Sequence, residues 1–395
     1  MVINGSRIIE KVMHITWILW LFFVIAFSDS ITVYANICAI IMMMIAAIYI
    51  LQTHSLYIPK QLYSIILFGV FATVSVVWSL DSDTTTIRAI TTWRMIALLV
   101  LMANYVRFSG DGKFLYTGIE IAGNITALYT IRYYGISGLR QLVATTGFRI
   151  GGGFVNENAL GTFLVVSAII TLYQAIHRRE YNRILLMVLP LLVCLLTASR
   201  KVLIILIVSI AFILWRELSQ SDEARTRIRI VLIIAVALVI LGYVYQSPIA
   251  AVLRVRIESM LGKTSSVDQS MLNRVNMVSI GFDQFKKTPI LGCGIGASSV
   301  LTNGTYLHNN YIELLATSGI LGFLLYYGFY FSCFICLIRN NNASEIIDIS
   351  LLLLLICMIT DFAAVSYFSK TQYMSFIVII SGVIYSNALK NDKGD

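Results

Sequence analysis

His308 is the residue of this sequence best suited to accept a proton. Histidine is the usual general base near neutral pH, and His308 begins the segment His-Asn-Asn-Tyr at the head of a long apolar run. Asn309 and Asn310 can cap a helix start or bind the hydroxyl groups of a sugar. Glu313 lies five residues on, outside the three- or four-residue spacing that best shares a helical face. The position of His308 is also typical of a histidine with a structural role at the start of a helix, at the membrane interface.

Two arginines lie at positions where membrane topology does not explain a positive charge. Arg149 precedes the apolar run 157–177, and Arg200 lies between the apolar runs 184–198 and 202–215. The planar guanidinium group can bind two phosphate oxygens at once. An ionisable group within a membrane needs partners and indicates a functional site. The two arginines therefore suggest an anionic, phosphate-bearing ligand.

Apolar helices must position these residues. Of the 395 residues, 58% are hydrophobic and 12% are charged, whereas a soluble chain is about a quarter charged. A membrane helix needs about 20 apolar residues. The sequence therefore predicts an all-α polytopic membrane protein with about twelve transmembrane helices. This composition excludes a disordered or fibrous protein and argues against a soluble enzyme. The predicted spans are roughly 12–28, 31–51, 61–80, 89–106, 114–134, 157–177, 184–198, 202–215, 229–247, 309–338, 346–366 and 373–389.

The charge distribution predicts how the spans are oriented. Roughly half of the 29 lysines and arginines stand in short breaks that alternate along the chain, and such breaks lie on the cytoplasmic side. Both termini are therefore expected in the cytoplasm. The other breaks predict a short extracytoplasmic loop at 135–156 and a large one at 248–308. We expect residues 1–395 to form a single integral membrane domain.

The stretch 184–215 is predicted to be a short hairpin. It has too few residues for two full spans at about 1.5 Å per residue. A single span would put a strongly basic loop outside, against the charge rule. The hairpin tip, Ser199 to Lys201, should lie below the outer surface, inside the bundle.

Motifs for metals and nucleotides are weak in this chain. Cys333 and Cys336 form a C-x-x-C in an apolar stretch with no partner pair, which does not indicate a metal or redox site. Asp81 and Asp83 form an Asp-x-Asp in a polar turn that is interpreted as a solvated loop. The glycines at 292–296 lack the strand–helix context of a dinucleotide loop, so a tight turn returning the chain to the membrane is expected. No metal, cofactor or nucleic-acid partner is predicted.

Three segments together resemble the superfamily of O-antigen polymerases and O-antigen ligases, which are bacterial membrane glycosyltransferases. Residues 148–164 are similar to the family's Arg–Gly–Phe–x–Asn–x–Asn entry into a span. Residues 195–206 resemble its Thr–x–Ser–Arg hairpin. Residues 273–322 resemble its arginine-led loop helix, Gly-x-Gly turn and His-Asn element. The order and spacing of the segments match as well, and the resemblance covers about residues 145–325.

The resemblance implies a GT-C-like bundle in the plasma (inner) membrane of a bacterium, acting on an undecaprenyl-diphosphate-linked glycan. It implies that Arg149 and Arg200 bind the pyrophosphate and that His308 is the catalytic base. Membrane lipids and a chain-length regulator protein are further candidate partners. The candidate supporting residues are Arg274, Asn156, Asn158, Ser199 and Asn309.

Several functions stay open at this stage. We favour a polymerase that adds one lipid-linked repeat unit to another. A ligase that transfers the glycan to lipid A–core or to protein would share the same motifs. A transporter or flippase is a further alternative, supported by Asp361 in the eleventh span and Glu120 in the fifth, which could equally be partners for arginines. Transporters usually contain internal repeats. No repeated motif relates the two halves of this sequence, which argues against a transporter.

Overall fold

The chain is helical throughout the part that the computed structural model describes. The described residues are 2–27, 32–144, 149–151, 155–220, 269–339 and 344–394, together with 246, 254 and 258. Their α-helices are α1 (Val2–Ala26), α2 (Thr32–Thr53), α3 (Leu62–Val74), α4 (Ser82–Ser109), α5 (Lys113–Ala144), α6 (Glu157–His177), α7 (Ile184–Leu196), α8 (Arg200–Gln220), α9 (Gln269–Lys287), α10 (Ser298–Leu301), α11 (Asn310–Arg339), α12 (Glu345–Asp361) and α13 (Lys370–Gly394). Short 3₁₀ turns follow α3, at Ser75–Trp78, and precede α7, at Tyr181–Arg183.

Seven of the described helices are long and apolar enough to cross a membrane: α1, α2, α4, α6, α8, α11 and α13. Helices α3 and α7 are apolar but shorter. Eleven of the twelve predicted spans coincide with a helix, whereas 229–247 lies outside the described residues. The predicted all-α polytopic membrane fold is therefore confirmed. The number of twelve spans and their orientation stay predictions.

The structure differs from the sequence-based boundaries at several helices. Helices α1 and α4 begin at Val2 and Ser82, ahead of the predicted starts at 12 and 89. Helix α5 continues through Ala144, into the predicted loop 135–156, after a kink at Gly135 with φ 59° and ψ −166°. A backbone with φ in this range is open to glycine at little cost, so the chain can bend and resume its helix. The described part of the predicted loop 248–308 contains α9 and the single turn α10. Helix α8 begins at Arg200 and extends past the predicted end of its span, to Gln220.

By its internal contacts the chain divides into two compact units. Unit 1 comprises residues 1–13, 39–113 and 267–395, and unit 2 comprises residues 14–38 and 114–266. Within unit 1, α3 packs against α4 and α11, and α13 packs against α4 and α12. Within unit 2, α6 packs against α7 and α8. The prediction of a single membrane domain stays a prediction.

Small residues allow the closest helix packing in both units. A Cβ placed on Gly382 of α13 would lie 2.2 Å from the Ser350 hydroxyl of α12. A Cβ placed on Gly123 of α5 would lie 2.0 Å from the Ser167 hydroxyl of α6. Helices in a membrane gain little from apolar burial, so close van der Waals packing of this kind is what holds them together.

Candidate functional site

The predicted hairpin tip, which is the turn 197–199 between α7 and α8 with the first residues of α8, combines several features that suit an anion. Helix α8 begins at Arg200, so its first backbone N–H groups stand beside two cations, Arg200 and Lys201. The preceding Ser199 is 2% exposed, and its hydroxyl oxygen has no hydrogen-bond partner among the described residues. Ala198 takes a left-handed conformation with φ 49° to make the turn. A helix N-terminus attracts negative charge, because its N–H groups lack partners within the helix.

Arg149 contacts this hairpin tip directly. Its Nε donates to the carbonyl oxygen of Thr197 at 2.8 Å, which satisfies a carbonyl just beyond the C-terminus of α7. The neighbouring Ile150 N–H donates to the Leu196 carbonyl at 3.3 Å. The two arginine segments that the sequence singled out, 48 residues apart at this bond, therefore meet in unit 2.

Acidic and amide groups hold the rest of the Arg149 guanidinium. One terminal nitrogen donates to Asn158 Oδ1 at 3.2 Å, and the other lies 3.6 Å from the Glu157 carboxylate. Asn156 acts as the N-cap of α6, since its Oδ1 accepts from the N–H groups of Asn158 and Ala159. Asn158 thus supports Arg149, whereas the side chain of Asn156 serves to begin the helix. Of these candidates, Arg149 alone reaches the hairpin tip through a side-chain hydrogen bond.

His308 lies in unit 1, in a turn immediately before α11. It is half-buried, and its backbone is left-handed with φ 55°. Asn309 N-caps α11, because its Oδ1 accepts from the N–H groups of Tyr311 at 3.0 Å and Ile312 at 3.2 Å. The ring of Tyr306 lies 4.3 Å from the imidazole, centroid to centroid. The predicted cap function of Asn309 is present in the structure.

Arg274 on α9 lies close enough to influence His308. Burial, and then the positive charge of Arg274, lower the pKa of the imidazole from its ordinary value of 6.5. Helix α9 packs against α11, and Gly281 of α9 lies against Ile312 and Leu307. The lowered pKa favours the neutral imidazole, which is the form that can accept a proton.

The glycine turn at 292–296 provides hydrogen-bond partners for main-chain groups at a break in α11. Gly319 interrupts the helix with φ 60° and ψ −167°. The carbonyls of Ala316 and Thr317 accept instead from the N–H groups of Cys293 at 3.1 Å and Gly294 at 2.9 Å. On the other side of the break, the N–H of Ile320 donates to Pro289 at 2.8 Å. The predicted tight turn is thus a segment docked by main-chain hydrogen bonds into the gap of a broken helix.

The two acidic residues that the sequence left open have different partners. Glu120 is paired with Arg183, its Oε2 lying 2.5 Å from an arginine terminal nitrogen. Asp361 accepts hydrogen bonds from the hydroxyls of Tyr327 at 3.0 Å and Tyr330 at 2.9 Å, and from Ser366. An arginine partner is therefore present for Glu120, and hydroxyl groups surround Asp361.

Among the described residues, no group of three or more His, Cys, Asp or Glu side chains could hold a metal ion. The candidate residues fall into two sets: Arg149, Asn156, Asn158, Ser199 and Arg200 in unit 2, and Arg274, His308 and Asn309 in unit 1. Sequence reasoning gave little weight to Glu313. The structure gives it two hydrogen bonds beside His308, which the five-residue spacing did not reveal.

Comparison with known families agrees with the resemblance. Residues 185–327 match the family model described as O-antigen ligase. The match includes Arg200, Arg274 and His308, and it confirms the predicted polymerase and ligase superfamily for this part of the chain. It points to polymerase or ligase activity without distinguishing them. A comparison with curated proteins gives no match.

Proposed function

We propose that this chain, whose residues 185–327 belong to the O-antigen polymerase and ligase superfamily, polymerises undecaprenyl-diphosphate-linked oligosaccharide repeat units at the outer face of the bacterial plasma membrane. The observation that carries the proposal is the hydrogen bond from Arg149 to the Thr197 carbonyl. It fixes the hairpin tip that presents Arg200 and the N-terminus of α8. An anion site at a hairpin between membrane helices suits a phosphate carried on a lipid chain.

The donor diphosphate is assigned to the tip of the hairpin. Arg200, Lys201 and the first N–H groups of α8 supply positive charge, and the Ser199 hydroxyl supplies a hydrogen-bond donor. Arg149 keeps its Nε on Thr197, and its terminal nitrogens contact Asn158 and Glu157. In this proposal the second N–H of each terminal nitrogen donates to a phosphate oxygen. Such preorganised donors stabilise the charge that grows on the diphosphate as it leaves.

His308 is assigned the role of the general base. It accepts the proton of an acceptor sugar hydroxyl as that oxygen attacks the anomeric carbon of the donor. The bond between this carbon and the phosphate oxygen breaks, and undecaprenyl diphosphate leaves with the bonding electron pair. A single displacement of this kind inverts the anomeric configuration. Because the pKa of His308 is lowered, the imidazole is ready for this role at neutral pH.

A ligase is the second candidate, since the matching family model is described as O-antigen ligase. It would use the same donor site and base, but the acceptor would be lipid A–core or a protein. The surface glycan of a strain lacking the gene separates the two. Loss of the repeat-length ladder with one unit still attached indicates a polymerase, whereas loss of all attached glycan indicates a ligase.

The donor site is tested by the Arg200→Lys variant of the purified protein, supplied with a lipid-linked oligosaccharide. A lysine keeps the charge but lacks the planar fork, so release of undecaprenyl diphosphate should fall about 10²–10³-fold, as when one preorganised donor is lost. Arg107→Lys is the matched control, because Arg107 lies 3.8 Å over the ring of Tyr57 in unit 1 and belongs to neither candidate set. Wild-type release by the Arg200→Lys variant would rule out the assigned donor site.

A further inference from the structure

We propose that Glu313 is a positioning residue that holds the turn carrying His308. This inference rests on the proposed role of His308 as the base. Glu313 lies in the first turns of α11 and is 1% exposed. Its Oε2 accepts from the Leu307 N–H at 3.1 Å, and its Oε1 accepts from the Ser298 hydroxyl at 2.6 Å. One carboxylate therefore joins α10 to the residue immediately before His308.

The cost of burying this carboxylate is offset in part by specific partners. A buried charge is unfavourable unless it is hydrogen-bonded or paired. Besides the two hydrogen bonds, the positive charge of Arg88 lies close enough to stabilise the carboxylate. Arg88 itself is held with its guanidinium carbon 3.9 Å from the centroid of the Phe368 ring. An apolar residue at 313 would leave the Leu307 N–H and the Ser298 hydroxyl without their acceptor.

The backbone of His308 needs this support. Its φ of 55° lies in the left-handed region, which non-glycine residues adopt only when their surroundings hold them there. Glu313 fixes the residue before His308, and the cap formed by Asn309 fixes the residue after it. The imidazole is therefore carried by a backbone that is held on both sides.

Glu313 acts through His308 and does not itself take the proton of the acceptor. Both of its oxygens already accept hydrogen bonds, and burial separates the carboxylate from solvent. Its effect on transfer is therefore a matter of geometry. This distinguishes it from a second base and from a residue that supplies a necessary negative charge.

The test compares Glu313→Ala with Glu313→Gln. An amide oxygen can still accept from the Leu307 N–H, and the Ser298 hydroxyl can turn to accept from the amide nitrogen. Glu313→Ala should lower kcat by about 10²-fold, within the range for loss of a general base, with the KM for the donor unchanged. Glu313→Gln should retain most of the activity. Equal losses in both variants would show that the charge is needed and would overturn the positioning role.

Thr317→Val is the matched control on the same helix. Among the described residues, the Thr317 hydroxyl donates to the main-chain carbonyl of Glu313 alone, at 2.6 Å, so its loss should leave the turn and kcat unchanged. All rates are compared per folded protein, measured by gel filtration and thermal unfolding. A loss of kcat in Thr317→Val as large as that in Glu313→Ala would assign the effect to general disturbance of α11.

A double-mutant cycle with His308→Ala tests whether Glu313 works through the histidine. In the absence of the imidazole, Glu313→Ala should cause no further loss of kcat, because residues that act as one unit are not additive. An additive loss would overturn the proposal. The acid limb of the pH–rate profile gives a second readout, since a loosened turn exposes His308 and should raise its pKa towards 6.5 in Glu313→Ala.

Amide hydrogen exchange tests whether Glu313 holds the turn, independently of whether the protein has the proposed activity. Residues 306–309 should exchange faster in Glu313→Ala and at the wild-type rate in Glu313→Gln and Thr317→Val. If His308→Ala is fully active, the base assignment fails, and the exchange rates alone decide whether Glu313 holds the turn. Unchanged exchange in Glu313→Ala would overturn the positioning role whatever the activity.

Discussion

At the scale of single residues, the two candidate sites show how a membrane protein makes polar side chains available. Arg149 is 14% exposed and is held by a main-chain carbonyl, an amide and a carboxylate. It is thereby fixed in one geometry while it remains charged. Partial burial and the charge of Arg274 lower the pKa of His308 and so favour its neutral form. Preorganisation of this kind avoids reorganisation during the reaction.

The charge of Arg274 predicts a pH effect. Because Arg274 lowers the pKa of His308, the rate of transfer should rise with pH through a midpoint below 6.5 and level off by pH 7. Arg274→Ala removes one of the two causes, so the midpoint should move up towards 6.5, whereas Arg274→Lys should keep it low. The measurement is kcat/KM against pH.

Lys286→Ala provides the control for this pH effect. Lys286 lies on the same helix, is exposed, and pairs with Asp283 at 3.1 Å, so its loss should leave the midpoint unchanged. If the midpoint is unchanged in Arg274→Ala, the charge of Arg274 does not influence the titration of the base.

At the scale of elements, the break in α11 is the feature that organises unit 1. The segment 289–294 provides hydrogen-bond partners for the main-chain groups of residues 316, 317, 320 and 321 that the kink at Gly319 frees. Unpaired groups of this kind are costly in an apolar environment. The same segment is followed by α10, whose Ser298 donates to Glu313. The broken helix therefore connects the glycine turn to the turn that carries His308.

Gly319→Ala should destabilise the protein more than an alanine at an ordinary left-handed glycine does. The ψ of −167° at Gly319 lies outside the left-handed helical region, and the added Cβ has no space. A Cβ at 319 would lie 2.3 Å from the carbonyl oxygen of Ile290, which cannot move freely because it accepts from the Leu321 N–H. Gly110→Ala is the control, since Gly110 has φ 69° and nothing within 4 Å of its added Cβ. It should cost only the left-handed strain, about 1–2 kcal/mol. Thermal unfolding in detergent measures both, and equal losses would contradict the docked turn.

At the scale of the whole molecule, the cations behind the net charge of +9 have two proposed roles in this apolar chain. Cations in alternating short breaks set the predicted orientation. Others contribute to the two candidate sites, as Arg149 and Arg200 do in unit 2 and Arg274 does in unit 1. The proposed function requires both sets to act at the outer face, so the orientation of the chain can be tested independently of activity.

Labelling of single cysteines tests the predicted orientation. Asn303→Cys, in the turn after α10, should react with a membrane-impermeant maleimide on intact cells. Asp111→Cys, between α4 and α5, should react only after the membrane is opened. The six native cysteines are all buried, so the background should be low. The reverse pattern would place His308 on the cytoplasmic side and contradict transfer at the outer face.

The sequence by itself determined the all-helical membrane fold, the superfamily and the placement of most helices, because apolar runs and local motifs report on their own segments. The span 157–177 coincides with α6 from end to end. Only the tertiary structure decided which side chains meet. It joined Arg149 to Thr197 and gave Glu313 to Leu307 and Ser298. The physical reason is that these partners lie 48, 6 and 15 residues apart in the sequence, at separations that no local helical pattern pairs.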